Sequence, residues 1–309
     1  MLPASIRQRL NPVTGAVRAA HPVGGGDVSA AARVEGSRGT FLAKWNAGAG
    51  GDSFAAEAEG LAALRTTAEA SGAGLTVPRP LLAENRTPDA AGLLVLPWIH
   101  GGTPSREDWR RFGGALAALH RADPVLPPEA PGGAGATGSA GGPYGWRGDN
   151  WIGSKPQANG WVEDWPTFFG ERRLLAQAET VRARGAWRDA WDRPLARLVA
   201  RLGEILPARP HPSLLHGDLW AGNALATRGG RFALIDPAVY VGHREADLGM
   251  TRLFGGFAPG FYDGYAEAWP LAPEAEARME VYNLFHRINH LTHGAGYAAG
   301  VAATLARFA

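Results

Sequence analysis

The stretch LLHGDLWAGNALATRGGRFALIDPAVY, Leu214–Tyr240, decides the fold, because it holds two aspartates and an asparagine at a recognisable spacing. RFALID has the pattern of a strand, and NALAT is its hairpin partner across a short turn. This hairpin brings Asn223 and Asp236 to adjacent ends of one ribbon. An amide oxygen and a carboxylate there form a Mg²⁺ site that phosphates and water complete. Asp218, just upstream, is then placed to accept a proton from a hydroxyl group.

The same spacing resembles the protein-kinase catalytic loop H-R-D-x-x-x-x-N followed by D-F-G. Gly217 stands where that pattern has Arg, and Pro237 stands where it has Phe. Phosphoryl transfer needs this division of labour, with a metal to neutralise charge and an acid–base residue to orient the nucleophile. The alternative is a turn whose Asp and Asn bond only the backbone. A second acid at the end of a strand favours the kinase interpretation over that turn.

A kinase also needs a lysine and its carboxylate partner upstream. Lys44 lies in the predicted strand FLAK, where a kinase keeps the lysine that contacts the α- and β-phosphates. Two candidate partners lie on the helix FAAEAEGLAALRTTAEA. Glu57 follows Phe54 by three positions and precedes Leu61 by four, so it shares their inward side. Glu59 is rotated from Glu57 by about 200°, so the register predicts a Lys44–Glu57 pair and a water-facing Glu59.

Two further segments complete the candidate nucleotide site. VGGGDVSAA contains a glycine triplet suited to a turn over phosphates, and LVLPWI suits a hinge whose backbone binds adenine. The predicted ATP-binding residues here are Gly24, Gly25, Gly26, Leu96, Pro97 and Ile99.

The order of elements predicts an α+β, bilobal protein-kinase-like fold. A small antiparallel-sheet lobe with one helix occupies residues 1–99 and ends in the hinge, and a larger, mainly helical lobe for catalysis and substrate occupies 100–309. Helical patterns begin at Glu107 and continue over Phe168–Arg184, Ala186–Leu206 and Ala275–Phe308. Leu126–Pro143 is rich in Gly, Ala and Pro and is predicted to be a mobile loop.

The composition and the short spacing after Asp236 limit the classes of substrate and partner that the chain can have. Only ten residues separate Asp236 from Asp247, too few for the activation segment on which a peptide substrate binds, so a small-molecule hydroxyl is the favoured acceptor. The net charge of +2 argues for neither nucleic acid nor a membrane. The chain has no Cys, no apolar run long enough to span a bilayer and no leader-type start, so a cytoplasmic location is expected. Lys44 and Lys155 are its only lysines, against 29 arginines.

Several segments together resemble the fructosamine kinase (ketosamine-3-kinase) family, within the aminoglycoside-phosphotransferase-like superfamily. They are LLHGDLWAGN, LIDPAVYVGHREADLGM, YGWRGDNWIGSKPQANGW, DWPTFFGERRLLAQ and RINHLTHGAGY. HGD with its later Asn marks only the superfamily, whereas the internal Trp and the D-N-W-I-G and Q-x-N segment are more specific. The resemblance implies ATP-dependent phosphorylation of the 3-hydroxyl of a sugar attached to an amine. The product then releases the amine, which repairs glycated protein or small amines.

Within this resemblance, four residues are candidates for acceptor binding. The indole of Trp220 is suited to the C–H face of a sugar or to its cationic amine, and a Trp that fills the loop is the alternative. The amides of Asn150, Gln157 and Asn159 are suited to sugar hydroxyls, and turn formation is their alternative. Asp247 is expected to anchor the catalytic loop by accepting backbone N–H bonds.

Other charged and aromatic residues stay open. His243 and Glu245 either anchor the loop or touch substrate, and Glu171, Arg172 and Arg173 are either surface charges or cleft residues. We interpret His286, His290 and His293 as packing or substrate-edge residues. Two positions depart from the family pattern: Pro97 stands where Glu is usual in the hinge, and Asp27 stands where some relatives have a redox-active Cys.

Two competing functions remain at this stage. The first is a kinase of another small alcohol, such as an aminoglycoside, choline, homoserine or a thio-sugar. The second is a catalytically inactive nucleotide-binding module, against which stands the full set of Lys44, Glu57, Asp218, Asn223 and Asp236. The acceptor is expected to be a ketosamine or a glycated amine or protein side chain, and the sequence does not determine the oligomeric state.

Overall fold

The computed structural model describes residues 2–24, 29–48, 52–126, 141–294 and 296–309. Its N-terminal part is a five-stranded antiparallel sheet of order β1-β2-β3-β5-β4. The strands are β1 (Val17–Val23), β2 (Ala30–Gly36), β3 (Gly39–Asn46), β4 (Leu82–Glu84) and β5 (Gly92–Pro97). Two helices accompany the sheet, α1 (Ala4–Thr14) and α2 (Phe54–Ala70).

The two faces of the sheet bury different side chains, as the period of two in a strand requires. On β5, Leu93 and Val95 face the small core under α1, whereas Leu94 and Leu96 belong to the large core that contains α2. Leu42 on β3 also packs on the large core. Lys44, two residues further along β3, therefore shares the face that is turned toward α2 and the rest of the protein.

The remainder is mainly helical, with three two-stranded pieces. The pieces are β6 (Asn150–Ile152) with β7 (Lys155–Gln157), β8 (Pro212–Leu215) with β11 (Tyr240–His243), and β9 (Ala224–Ala226) with β10 (Phe232–Leu234). The helices are α3 (Arg106–Arg121), α4 (Trp165–Phe168), α5 (Ala176–Ala183), α6 (Asp192–Ala200), α7 (Leu202–Ile205), α8 (Glu245–Leu253), α9 (Pro259–Ala268), α10 (Ala275–Asn289) and α11 (Gly296–Phe308). A π-helical segment covers Phe169–Leu175, and short 3₁₀ turns cover Asp189–Trp191, Ala221–Asn223 and His290–His293.

The chain leaves the sheet beside the hairpin that carries the metal candidates. The N–H of Gly102 donates to the carbonyl of Ala226 at 2.9 Å, and the N–H of Arg228 donates to the carbonyl of His100 at 3.2 Å. These bonds join the linker after β5 to the hairpin β9–β10, so the segment that follows the predicted hinge is tied to the hairpin that carries the predicted metal pair.

The predicted α+β, bilobal fold class is confirmed by this architecture. The α2 bounds match the prediction, and the segment Phe168–Arg184 is helical but contains the π-helical stretch. The helices α1, α4, α8 and α9 were not predicted. Most of the predicted mobile loop, residues 127–140, lies outside the described residues. No helix in the described ranges combines the length and apolarity needed to cross a membrane.

Candidate active site

His216 holds the two sides of the catalytic loop together. Its Nε2 donates to the carbonyl of Ile235 at 2.9 Å, and its Nδ1 accepts the backbone N–H of Asp218 at 3.3 Å. Burial lowers the pKa of His216, so the ring stays neutral and keeps one nitrogen as donor and the other as acceptor. The backbone of Asp218 is thereby fixed relative to the strand that leads to Asp236.

Asp247 anchors the start of the loop, as predicted. Its two carboxylate oxygens accept the backbone N–H groups of His216 at 2.7 Å and Gly217 at 2.9 Å, and Nε2 of His120 lies 3.2 Å from one of them. Burial opposes ionisation of this carboxyl, but these hydrogen bonds outweigh it and lower the pKa of Asp247. A buried carboxylate with several donors is stable in its charged form.

Gly217 explains why this loop lacks the kinase arginine. Its φ is +79°, a conformation that favours glycine. A Cβ added there would lie 2.0 Å from the carbonyl oxygen of Ala238. The loop therefore passes too close to the segment after Asp236 for any side chain at this position.

Asp218 is enclosed beside the two metal candidates. The Nδ2 of Asn223 donates to the backbone carbonyl of Asp218 at 2.9 Å and lies 3.2 Å from its carboxylate Oδ2. Burial, followed by the negative charge of Asp236, raises the pKa of Asp218 to about 7. A carboxylate tuned toward neutral pH is suited to accept a proton from a hydroxyl group.

Asn223 and Asp236 occupy adjacent ends of the predicted hairpin. Leu234 on β10 pairs with Ala224 on β9, and the N–H of Ile235 donates to the carbonyl of Asn223 at 3.1 Å. Asp236 has a φ of +54°, and among the described residues it is the only non-glycine residue with a positive φ. Such a conformation persists only where the surroundings hold it.

The donor chemistry of this pair fits a hard cation that also binds nucleotide. One amide oxygen and one carboxylate are the oxygen ligands that Mg²⁺ takes when phosphates and water supply the rest. Within the described residues, no group of three or more His, Cys, Asp or Glu forms a metal cluster.

Lys44 joins the sheet to this hairpin. Its Nζ lies 2.9 and 3.1 Å from the two carboxylate oxygens of Glu57 and 2.7 Å from Oδ1 of Asp236. Burial disfavours the ammonium, but the charges of Glu57 and Asp236 outweigh it and raise the pKa of Lys44. The predicted pairing with Glu57 is confirmed. The prediction that Glu59 faces water is wrong, because its carboxylate bonds to Trp146 and Arg147.

The predicted ATP contacts are described only in part. Gly24 follows β1, whereas Gly25, Gly26 and Asp27 lie outside the described residues. In the predicted hinge, the apolar strand ends at Pro97 as expected. Leu96 is buried, and Pro97 and Ile99 are half-buried. Their roles in nucleotide binding stay predictions.

The three amides predicted to meet sugar hydroxyls lie inside the protein instead. Asn150 Nδ2 donates to the carbonyl of Val239 at 2.8 Å, and Gln157 Nε2 donates to the carbonyl of Ala238 at 3.0 Å. Gln157 and Asn159 both donate to Oδ1 of Asn150, at 2.8 and 3.0 Å. The prediction of substrate contact is replaced by anchoring, because all three side chains are buried. Asn150 and Gln157 bond the segment between Asp236 and β11, and Asn159 bonds Asn150.

Arg173 supports this amide cluster from the core. Its guanidinium donates to Oδ1 of Asn159 at 2.9 Å and lies 3.9 Å from the ring centroid of Tyr240. Burial lowers the pKa of Arg173 to about 10. Its neighbours Glu171 and Arg172 are exposed. Of the three charges that the sequence left open, two are therefore on the surface and one is a core residue.

An aromatic wall lies beside the catalytic loop. Trp220 contacts Phe254 edge-on at 6.5 Å between centroids, and Phe254 contacts His290 at 5.1 Å and Tyr297 at 6.3 Å. Phe254 is 40% exposed. The indole also folds over Gly222, where an added Cβ would lie 2.2 Å from the ring. Trp220 thus packs on its own loop and forms one side of an open apolar surface.

The chain's two lysines are both withdrawn from solvent. The side chain of Lys44 is 13% exposed, and Lys155 on β7 is 1% exposed. Burial, with the nearby charge of Arg184, lowers the pKa of Lys155 to about 8. The other 29 residues in the total of 31 lysines and arginines are all arginines.

A family model described as fructosamine kinase matches residues 3–308. The chain belongs to the fructosamine kinase family. A protein named "Probable ketoamine kinase" from Synechocystis is 35% identical over 299 residues, which cover 95% of this chain and 92% of that protein. A chloroplastic protein-ribulosamine 3-kinase from Oryza sativa subsp. indica is 34% identical over 277 residues, 89% of this chain and 74% of that protein.

Solved structures agree with this fructosamine kinase assignment. The crystal structure of a candidate fructosamine-3-kinase from Thermobifida fusca has a TM-score of 0.78 at 30% identity and covers 98% of this chain and 97% of its own. An aminoglycoside phosphotransferase bound to AMP-PNP and hygromycin B has a TM-score of 0.62 at 17% identity, covering 98% and 96%, and shares the fold. As a member of this kinase family, the chain is a phosphotransferase, as predicted.

Sequence reasoning missed several residues of this fructosamine kinase site. Phe254 lies in the motif RLFGGF, where an apolar ring directly before two glycines is a usable signal for an exposed aromatic side chain. His120 gives no such signal, because it reaches Asp247 from a distant helix. Trp146 lies in a segment quoted for the family resemblance, but its partner Glu59 is far away in the chain.

Proposed function

We propose that the chain is an ATP-dependent kinase that phosphorylates the 3-hydroxyl of ketosamines, such as fructosamines or ribulosamines. The observation that carries this proposal is the grouping of Lys44 with Asp236 and of Asp218 with Asn223 at adjacent ends of one hairpin. The family and the names of its ketoamine and ribulosamine kinase relatives support the substrate class. We also propose that residues 1–99 bind the nucleotide and residues 100–309 provide catalysis and the acceptor site.

In this proposal, Asp218 accepts or orients the proton of the acceptor hydroxyl. The hydroxyl oxygen forms a bond to the γ-phosphorus, the bond from that phosphorus to the β–γ bridging oxygen breaks, and ADP leaves. Lys44, held by Glu57, contacts the α- and β-phosphates. Asn223 and Asp236 would hold Mg²⁺, which neutralises phosphate charge when bound.

The aromatic wall is proposed as the acceptor surface. A ketosamine has a sugar with apolar C–H faces and an amine that is cationic near neutral pH. Aromatic faces attract cations and pack well on such surfaces. Trp220 and Phe254 lie next to the loop that carries Asp218, so a sugar on this wall would present its hydroxyls to the proposed base. The phosphorylated product would then release its amine, which amounts to deglycation.

An acceptor screen tests the proposal. ADP release with Mg·ATP is measured against fructosamines, ribulosamines and an aminoglycoside, with Asp218→Asn as the blank. We expect turnover on at least one ketosamine and assignment of the new phosphate to O3 by NMR. Turnover on the aminoglycoside alone would replace the substrate class, and nucleotide binding without turnover on any acceptor would indicate an inactive module. The cytoplasmic location stays a prediction, since the rice relative is named as chloroplastic.

A further inference from the structure

Glu59 lies on α2 two residues beyond Glu57, and its carboxylate reaches the helical part of the chain. Its Oε1 accepts Nε1 of Trp146 at 2.7 Å and Nε of Arg147 at 2.8 Å. Trp146 is 3% exposed, and a buried indole N–H requires a partner. Bonds to a charged acceptor are stronger than neutral ones, so this contact fastens α2 from outside the sheet.

The anchor for this contact is fixed to the segment that follows Asp236. Gly145 exchanges backbone hydrogen bonds with Val241 on β11, at 2.9 and 2.8 Å. The carbonyl of Trp146 accepts the N–H of Gly160 at 3.1 Å. Glu59 therefore bonds a segment that is hydrogen-bonded to β11. The strand β11 follows shortly after Asp236, the proposed metal ligand, in the chain.

The helix is held on two opposite sides. Glu57 points to Lys44 on the sheet, and Glu59, rotated by about 200°, points to Trp146. Between them, Gly60 packs so closely on the segment after Asp236 that an added Cβ would lie 3.1 Å from Val239. Because a buried ion pair is favourable only with good geometry, a helix released on the Glu59 side would weaken the Lys44–Glu57 contact.

We propose that Glu59 is a positioning residue that fixes α2 against Trp146 and Arg147, so that Glu57 holds Lys44 in place before nucleotide binds. This inference rests on the proposed function, because it assigns Glu59 a role only through Glu57 and Lys44. In this proposal, Glu59 joins α2 of the N-terminal part to Trp146 and Arg147 of the C-terminal part without contacting the nucleotide.

The test compares two glutamates on the same helix. Glu59→Ala removes the acceptor, Glu59→Gln keeps an amide oxygen for the indole N–H, and Glu69→Ala is the matched control. The side chain of Glu69 is 64% exposed. Within the described residues, its salt bridge is to Arg65, at 3.1 Å. Mg·ATP affinity is measured by calorimetry, and kcat/KM for Mg·ATP by ADP release on a ketosamine.

We expect Glu59→Ala to weaken Mg·ATP binding about tenfold, equivalent to about 1.4 kcal/mol, while KM for the ketosamine stays unchanged. Glu59→Gln should recover most of the loss, and Glu69→Ala should match wild type. In the double variant Glu57→Gln/Glu59→Ala, the loss should be no larger than in Glu57→Gln alone, because both changes act on the same contact.

Three results would overturn the inference. They are wild-type nucleotide affinity in Glu59→Ala, equal effects on nucleotide and ketosamine, and losses that multiply in the double variant. If Glu59→Ala does not fold, the double variant Trp146→Phe/Arg147→Ala removes both donors to Glu59 and keeps an aromatic side chain at position 146. Unchanged affinity in that variant overturns the inference as well. A near-normal Glu57→Gln would instead refute the proposed role of the Lys44–Glu57 pair.

Discussion

Replacing Asp218 and Asp236 separately by Asn should produce two different defects. Asp218→Asn keeps the shape of the side chain, and the backbone carbonyl of residue 218 still accepts Nδ2 of Asn223. The hairpin with its metal pair should therefore persist. Removing a general base lowers rates by about 10²–10⁴-fold, about 3–5 kcal/mol in the activation barrier. We expect that loss in kcat with Mg·ATP affinity nearly unchanged.

Asp236→Asn should instead weaken Mg²⁺-dependent nucleotide binding. It removes the only carboxylate of the proposed metal pair, and hard divalent cations depend on charged oxygen ligands. It also removes the 2.7 Å partner of Lys44. The nucleotide titration should therefore separate this variant from Asp218→Asn, even if both are slow in turnover.

The pH dependence gives a further check on Asp218. Its pKa is raised to about 7 by burial and by the charge of Asp236, and a bound cation would offset the second cause and bring the pKa down. A base acts only when ionised, so the wild-type rate should fall as pH falls through the pKa of Asp218. Asp218→Asn should lack this acidic limb.

One pair of measurements decides the matter: calorimetric titration with Mg·ATP and steady-state ADP release on a ketosamine between pH 5.5 and 8.5, a range chosen as about 1.5 units to either side of the Asp218 pKa. Near-normal turnover in Asp218→Asn would refute the base assignment. A loss of nucleotide affinity in Asp218→Asn as large as in Asp236→Asn would show that the two acids share one role.

Three other predictions concern the surroundings of the site. Phe254→Ala should raise KM for the ketosamine about tenfold, worth about 1.4 kcal/mol, without changing KM for Mg·ATP, and equal changes in both would remove Phe254 from the acceptor surface. Asn150→Ala should lower the free energy of unfolding by about 1–3 kcal/mol, because a buried carbonyl loses its donor, and should also weaken Mg²⁺-dependent nucleotide binding; denaturant titration and calorimetry measure the two, and a stability loss with unchanged binding would make the amide purely structural. His243 has its pKa lowered to about 3 by burial, so the unfolded state takes up the proton first as pH falls below about 6.5. Stability should therefore fall from pH 6.5 toward 3, by up to about 1.4 kcal/mol per pH unit from this group. His243→Gln should reduce that slope in urea titrations, whereas the exposed control His211→Gln should not, and equal slopes in the two variants would contradict the assignment.

The sequence predicted the parts of the site that depend on local geometry. Helical periodicity was enough to choose Glu57 over its neighbour as the partner of Lys44, because an inward face is marked by apolar residues on the same helix. The hairpin that joins Asn223 to Asp236 followed from strand patterns on both sides of a turn. Asp247 as an anchor followed from its place after the catalytic loop.

The errors all concern partners that are distant in the chain. The pattern around Glu59 shows which way it points but not that Trp146 lies there. Asn150 and Gln157 have side chains suited to hydroxyls, and the sequence does not reveal that two main-chain carbonyls after Asp236 are within their reach. Long-range proximity of this kind is set by tertiary packing, which no local spacing encodes.

The burial of both lysines has a consequence for the enzyme as a chemical target. Reducing sugars attack unprotonated primary amines, and a guanidinium stays protonated at physiological pH. Lys44 is held as a charged amine by two carboxylates, and Lys155 is enclosed. Neither lysine side chain is therefore readily accessible to a sugar, although the sequence carries 29 arginines. An enzyme that acts on glycated amines would therefore carry few lysine amines that sugars could convert into its own substrate.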